Sequence, residues 1–239
     1  MATYLGTHGS RIQNYTTNPD NPNEGEVWYN DTDNVLKFQY PNVSTAGSWR
    51  TANNLNTARR HLAGAGASNT VSLAFGGGPP VQAVTESYDG TNWTEVNDLN
   101  TARQNLQGSG TYTSALATGG YISTNSAVNE SWNGTNWTEV NDLNTGRQYV
   151  MGAGKSNTAA LAFGGETPPH TNATESWNGT NWTEVNNLNT ARFYGGGAGT
   201  NTDAIVFGGR IDSPSTTYAN TELWNGTNWT EQNDLATGR

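Results

Sequence analysis

The sequence predicts an all-β fold assembled from repeats, and three observations carry that expectation. First, Trp49, Trp93, Trp137, Trp182 and Trp229 each stand six residues before the Leu of an L-x-T-[AG]-R segment, closing at Arg59, Arg103, Arg147, Arg192 and Arg239. The Trp spacings of 44, 44, 45 and 47 are the period of units that bury their apolar faces only against their neighbours. Second, 13% of residues are charged, 29 are Gly and nine are Trp. That composition disfavours helices and favours short strands with tight turns, while the Trp residues supply a core that disordered chains lack. Third, each full unit carries Asp-Gly or Asn-Gly between apolar runs, at 89–90, 133–134, 178–179 and 225–226. This is the strongest short-range signal for a two-residue hairpin with both central residues at positive φ.

The unit 60–103 justifies its elements in order. Leu62–Ala67 is a strand of small residues, Thr70–Phe75 an apolar strand ending in Gly76-Gly77, and Val84–Tyr88 and Asn92–Val96 form the hairpin. Four strands in each of five units describe a five-bladed β-propeller forming a single domain over 1–239. Its blades are a divergent first one at 1–59, then 60–103, 104–147, 148–192 and 193–239. The inner strands, with Gly108-Ser109-Gly110, Gly152-Ala153-Gly154 and Gly197-Ala198-Gly199, suit a narrow axial channel.

Phe75-Gly76-Gly77 with Tyr88 and Trp93, Phe163-Gly164-Gly165 with Trp177 and Trp182, and Phe207-Gly208-Gly209 with Trp224 and Trp229 resemble the kelch repeat. The resemblance covers 60–239 and implies a kelch-like propeller; the unit at 104 departs, with Thr118 before its diglycine. The first unit has no diglycine. It reads as a hairpin instead, Gly25-Glu26-Val27-Trp28-Tyr29-Asn30, a turn at Asp31–Asn34, then Val35–Tyr40. Its G-x-x-W-Y-N followed by Leu36-Lys37 resembles a short module of bacteriophage tail-fibre and other virion proteins. A fifth blade from this segment takes Tyr4–Ile12 as inner strand and Trp49 in its outer one, and closes the ring either by packing side to side or by part of the N-terminal segment adding to the last blade.

The bulk properties exclude several function classes. Net charge is −9, and five of the eleven Lys and Arg are spent on one repeat position, which leaves no phosphate-binding surface and no nucleic-acid partner. There is no Cys, so no disulfide and no Cys–Tyr cross-link of the galactose oxidase kind. The N-terminus has no basic region leading into an apolar run, and no stretch is long and apolar enough to span a bilayer, so neither Sec export nor membrane insertion is expected. His8, His61 and His170 lack metal-ligand spacing, and neither G-x-S-x-G nor H-E-x-x-H occurs. The expectation is a protein with no catalytic activity, cofactor or metal.

The repeated Trp reads as packing between blades and the repeated Arg as a structural group paired with Glu86, Glu130, Glu175 and Glu222 or with loop carbonyls. Strand parity puts the second-to-third loops on one face together with the links between blades. These loops, 78–81, 121–127, 166–172 and 210–219, are dissimilar on a near-identical frame, as in a binding module. Tyr121, His170, Arg210, Asp212 and Tyr218 are the candidate ligand residues. The expected function is a phage virion structural or surface protein, made in the host cytoplasm, that binds other virion proteins, further copies of itself, or a host cell-surface glycan or protein. The alternative is a free-standing lectin-like propeller with repeated sites between blades.

Overall fold

The computed structural model describes residues 13–15, 27–38, 51–211 and 216–239. The chain divides into two compact units, Met1–Thr51 and Ala52–Arg239. The described residues form strands and turns and no helix.

In the first unit β1 (Gln13–Tyr15) runs parallel to β2 (Val27–Asn30), which pairs antiparallel with β3 (Val35–Phe38). The expected hairpin forms. Asn30 Oδ1 holds its turn by accepting from the amides of Thr32 at 3.0 Å and Asp33 at 2.9 Å. The proposed inner strand Tyr4–Ile12 and the Trp49 strand lie outside the described residues.

The second unit contains four four-stranded antiparallel sheets in chain order. The first is β4 (Ala63–Ser68), β5 (Val71–Phe75), β6 (Thr85–Tyr88) and β7 (Trp93–Val96). The second is β8 (Gln107–Thr111), β9 (Ser114–Thr118), β10 (Asn129–Trp132) and β11 (Trp137–Val140). The third is β12 (Met151–Ser156), β13 (Ala159–Phe163), β14 (Thr174–Trp177) and β15 (Trp182–Val185). The fourth begins with β16 (Gly196–Gly199) and β17 (Ala204–Phe207); a small pair, β18 (Arg210–Ile211) with β19 (Thr216–Thr217), precedes its outer strands β20 (Thr221–Trp224) and β21 (Trp229–Gln232). The innermost strands β4, β8, β12 and β16 pack each on the next and line one cavity, a propeller-like arrangement.

Local chemistry explains each blade. The diglycine is forced at both positions: Gly76 and Gly77 have φ of 67° and 112°, and a Cβ would lie 2.6 Å from the Arg103 carbonyl or 2.8 Å from that of Arg60. The outer hairpin differs from the expected two-residue turn on Asp-Gly. Tyr88 pairs with Trp93 as the last rung, and only Gly90 has positive φ. Asp89 instead accepts the amides of Thr91 and Asn92 at 2.8 and 2.7 Å through its side chain. Asn133, Asn178 and Asn225 do the same, so the Asx side chain, and not a second left-handed residue, sets the turn. The inner-strand glycines answer to a lateral constraint as well as to the channel: a Cβ on Gly108 would sit 2.4 Å from the Gly64 carbonyl of the preceding blade.

The cores lie between successive sheets. Trp137, Trp182 and Trp229 are 5–6% exposed. Trp137 meets Phe75 of the preceding blade edge-on at 4.8 Å, and Trp229 meets Phe163 at 4.9 Å. Each donates its indole N–H across the same joint, to Thr85 and Thr174 Oγ1, at 3.1 Å. At the middle joint the Phe is replaced by Thr118, the departure visible in the sequence, and the Thr by Asn129. There Asn129 accepts from Trp182 Nε1 at 3.1 Å and donates to Thr118 Oγ1 at 2.8 Å, a polar pair substituting for the aromatic contact.

An ion pair clamps every joint. Arg59, Arg103, Arg147 and Arg192 each close one unit and meet Glu86, Glu130, Glu175 and Glu222 of the next, all with side chains 0–1% exposed. Arg103 also donates to the carbonyls of Thr101 and Ala117 at 3.0 and 2.9 Å, while Glu130 accepts the Asn100 amide at 2.7 Å. Burial lowers the pKa of Arg103 and Arg147, a desolvation cost that the facing carboxylates offset in part. For Glu86 burial works upward, but the bond from Arg59 and the amides of Asn56 and Thr57 outweigh it and hold the carboxyl below its ordinary range.

A buried pair is costly to break and cheap to replace whole. Glu130→Ala strands the Arg103 guanidinium and should cost about 3–5 kcal/mol in urea unfolding. The double variant Arg103→Met with Glu130→Leu should recover most of that loss; equal destabilisation of the two would show that the pair carries net stability itself.

Candidate functional site

The clamp delivers each chain link to the axis. Two residues beyond each buried Arg the backbone turns through the left-handed region, at His61 (φ 58°), Asn105 (57°), Tyr149 (52°) and Tyr194 (61°). Every other positive-φ residue described in 52–239 is Gly. A side chain at such a φ costs roughly 1–2 kcal/mol, and aromatic residues are rare there. Among the described residues of 52–239 side chains are kept at these four positions, and core packing does not explain Tyr194, which is 45% exposed, or His61, which is exposed. Backbone bonds string the positions together, Asn105 N to His61 O at 2.9 Å and Tyr149 N to Asn105 O at 2.8 Å.

The four side chains line a cavity of ≈ 250 Å³ floored by Leu62, Leu106 and Val150. Asn105 is 8% exposed; its Nδ2 donates to Gln148 Oε1 at 2.8 Å, while its Oδ1 has no partner among the described residues. The Tyr149 and Tyr194 rings stack 4.0 Å apart at 35°. Burial first, then the hydrogen bond with Tyr149, pushes the Tyr194 phenol above its ordinary range, and Arg210 only partly opposes them. A few residues further along each chain the inner strands enclose the ≈ 160 Å³ axial cavity, where Ser109 is 6% exposed with its hydroxyl unpaired.

The sequence-derived candidates fall around this mouth in different ways. Arg210 lies over the Phe193 and Tyr194 rings, 5.2 and 4.8 Å from their centroids, and the His170 ring is 6.1 Å from Phe193, so these two flank the site. Tyr121 lines a separate cavity of ≈ 470 Å³ with Asn125, Gln148 and Glu166. Tyr218 contributes its backbone, donating to Gly209 O and accepting from Arg239 N, and lines neither cavity. Asp212 lies outside the described residues, as does Trp49. Among the described residues no three of His, Asp and Glu converge as a metal site requires.

Asn105, Tyr149 and Tyr194 were not among the sequence-derived candidates, and His61 was considered only as a metal ligand. A signal existed: within the constant frame around each Arg, the second following position reads His, Asn, Tyr and Tyr. Comparison with known proteins assigns the chain to no family, since no family model matches it and no curated protein is similar to it.

Substituting Tyr194 by Gly removes the left-handed strain, about 1–2 kcal/mol. It also forfeits the Arg210 contact and gives the unfolded chain more freedom, each worth roughly 0.5–1 kcal/mol. The variant should therefore unfold within about 1 kcal/mol of the parent. In contrast, Gly208→Ala, at φ 65° with its Cβ 2.6 Å from the Arg239 carbonyl, should be clearly destabilised in the same assay.

Proposed function

We propose that the chain is a non-enzymatic recognition protein of a phage virion, a five-bladed kelch-like propeller that binds a host surface or a neighbouring virion protein through one face. The observation that carries the reading is the contrast between frame and face. Clamps, hairpins and inter-blade Trp contacts repeat almost unchanged, while the left-handed positions and the second-to-third loops on the same side differ from blade to blade. The virion assignment is supported by the N-terminal segment, whose Val27–Asn30 and Val35–Phe38 strands carry the tail-fibre-like pattern.

The fifth blade in this reading comes from residues 1–59. The two ends of the described array support it. Trp93 is half-buried where its three counterparts are buried, Phe207 is half-buried where Phe75 and Phe163 are fully buried, and Arg239 is exposed where its counterparts are enclosed. Among the described residues each is without the inter-blade partner that its counterparts have. Trp49→Ala should then cost as much as Trp229→Ala, about 3–5 kcal/mol by thermal or urea unfolding. A near-silent Trp49→Ala would leave the ring open.

Binding is tested with labelled full chain and bacterial envelope fractions, against a variant whose 166–172 loop is exchanged for 78–83. The expected result is binding that the exchange abolishes or retargets. Binding indifferent to the exchange would remove the varied loops from the interface, and no binding to envelope or virion fractions would overturn the recognition reading.

A further inference from the structure

Resting on that reading and deepening it, we propose that the axial mouth formed by His61, Asn105, Tyr149 and Tyr194 is a single site for one neutral sugar residue of a surface glycan. Size sets the first limit. The cavity of ≈ 250 Å³ falls just below the roughly 300–1,000 Å³ of pockets for drug-sized ligands, leaving room for about one pyranose ring.

Charge sets the second. Among the described residues no Asp, Glu, Lys or Arg lines the cavity itself, and the nearest guanidinium, that of Arg210, lies against the Tyr194 ring, so the lining favours a neutral ligand. The net charge of −9 further opposes an anion. The Tyr194 phenol, held protonated well beyond its ordinary range, keeps its own contribution neutral.

A wholly apolar ligand fails on the third. His61, Asn105, Tyr149 and Tyr194 make the lining polar as well as aromatic, and covering their hydrogen-bonding groups with hydrocarbon would leave them unsatisfied. A sugar satisfies both surfaces. Its hydroxyls reach the Tyr hydroxyls and the His61 imidazole, and the ring's C–H face lies on the Tyr149 and Tyr194 pair and the aliphatic residues of the lining. The retained left-handed side chains then have a use that Gly could not serve. The arrangement also differs from repeated sites between blades, where Trp137, Trp182 and Trp229 are already enclosed.

The test titrates the full chain with methyl glycosides of glucose, galactose, mannose and N-acetylglucosamine, and with sialic acid and glucose 6-phosphate as charged counterparts. Calorimetry and saturation-transfer NMR provide the readout. Expected is at least one neutral glycoside bound at one per chain, with charged counterparts about tenfold weaker or worse. Tyr194→Gly should weaken binding by about tenfold or more while its unfolding curve stays close to the parent's. Several equivalent sugars per chain, or affinity unchanged in folded Tyr194→Gly, would overturn the axial site. Envelope binding that survives periodate oxidation of its glycans, with no glycoside bound, would overturn the sugar and leave the recognition reading standing. Loss of all envelope and virion binding would end both.

Discussion

At each joint between successive sheets a guanidinium without solvent contact faces a carboxylate without solvent contact, and the rest of the unit depends on that pairing. The Arg closes one repeat and the Glu sits on the third strand of the next, so the pair fixes how one blade seats on another. Each partner also takes backbone with it. Glu130 grips the amides of Asn100 and Thr101, and Arg103 reaches back to the Thr101 and Ala117 carbonyls. Such a cluster tolerates only one geometry, because any shift exposes an unpaired buried charge. Its net worth in stability is small beside that penalty, and the lowered pKa of Arg103 and Arg147 marks the desolvation that offsets the attraction. What the clamp contributes is register, and apolar burial around the Trp residues contributes most of the adhesion.

Register at the joint becomes geometry at the axis. The carbonyls of Arg103, Arg147 and Arg192 each accept from the second Gly of a diglycine, as Gly77 N to Arg103 O at 2.9 Å, which anchors the link before it turns inward. Two residues later the chain takes its left-handed step, so the mouth side chains are held by a fixed number of bonds from a buried ion pair. The frame is rigid where it must repeat and indifferent to side-chain identity where it points at the opening. The middle joint illustrates the same separation in the core: Thr118 and Asn129 replace Phe and Thr, yet Trp182 finds a hydrogen-bond acceptor in the equivalent place.

Much of this was legible in the sequence, and the limits have physical causes. The strands of unit 60–103 were readable to within a residue or so, because alternation, small-residue runs and diglycines report backbone geometry directly. The hairpin type was misread because Asn-Gly satisfies two designs, one with both residues left-handed and one with the Asn side chain as acceptor; only the 2.9 Å bonds of Asn133 to the Thr135 and Asn136 amides separate them. The mouth was hidden for the opposite reason. Left-handed backbone is announced in sequence by Gly, and at Tyr149 and Tyr194 the chain adopts it without Gly, so no residue type signals it. Arg210 and His170 were chosen for lying in variable loops and do flank the mouth, but Tyr218 came from the same reasoning and turned out to serve through its backbone.

The distribution of strain is what the proposed binding site would produce and drift would not. Loops free to vary relax toward unstrained conformations, and nothing in drift gathers cost at one place. Here four left-handed side chains surround one opening, and the Asn105 oxygen beneath it has no partner among the described residues. Together these amount to several kcal/mol by the ordinary scale of such terms, comparable with a large part of a domain's whole stability. Substituting Gly at these positions would relieve most of it without touching the Arg–Glu clamps or the Trp joints, since Tyr194 is largely outside the core. A chain that already uses Gly at fourteen positive-φ positions among its described residues has the remedy at hand. That it retains His, Asn and two Tyr instead is what the proposed recognition site asks of its mouth, and the two Tyr carry the argument furthest, since Asn and His adopt this backbone more readily.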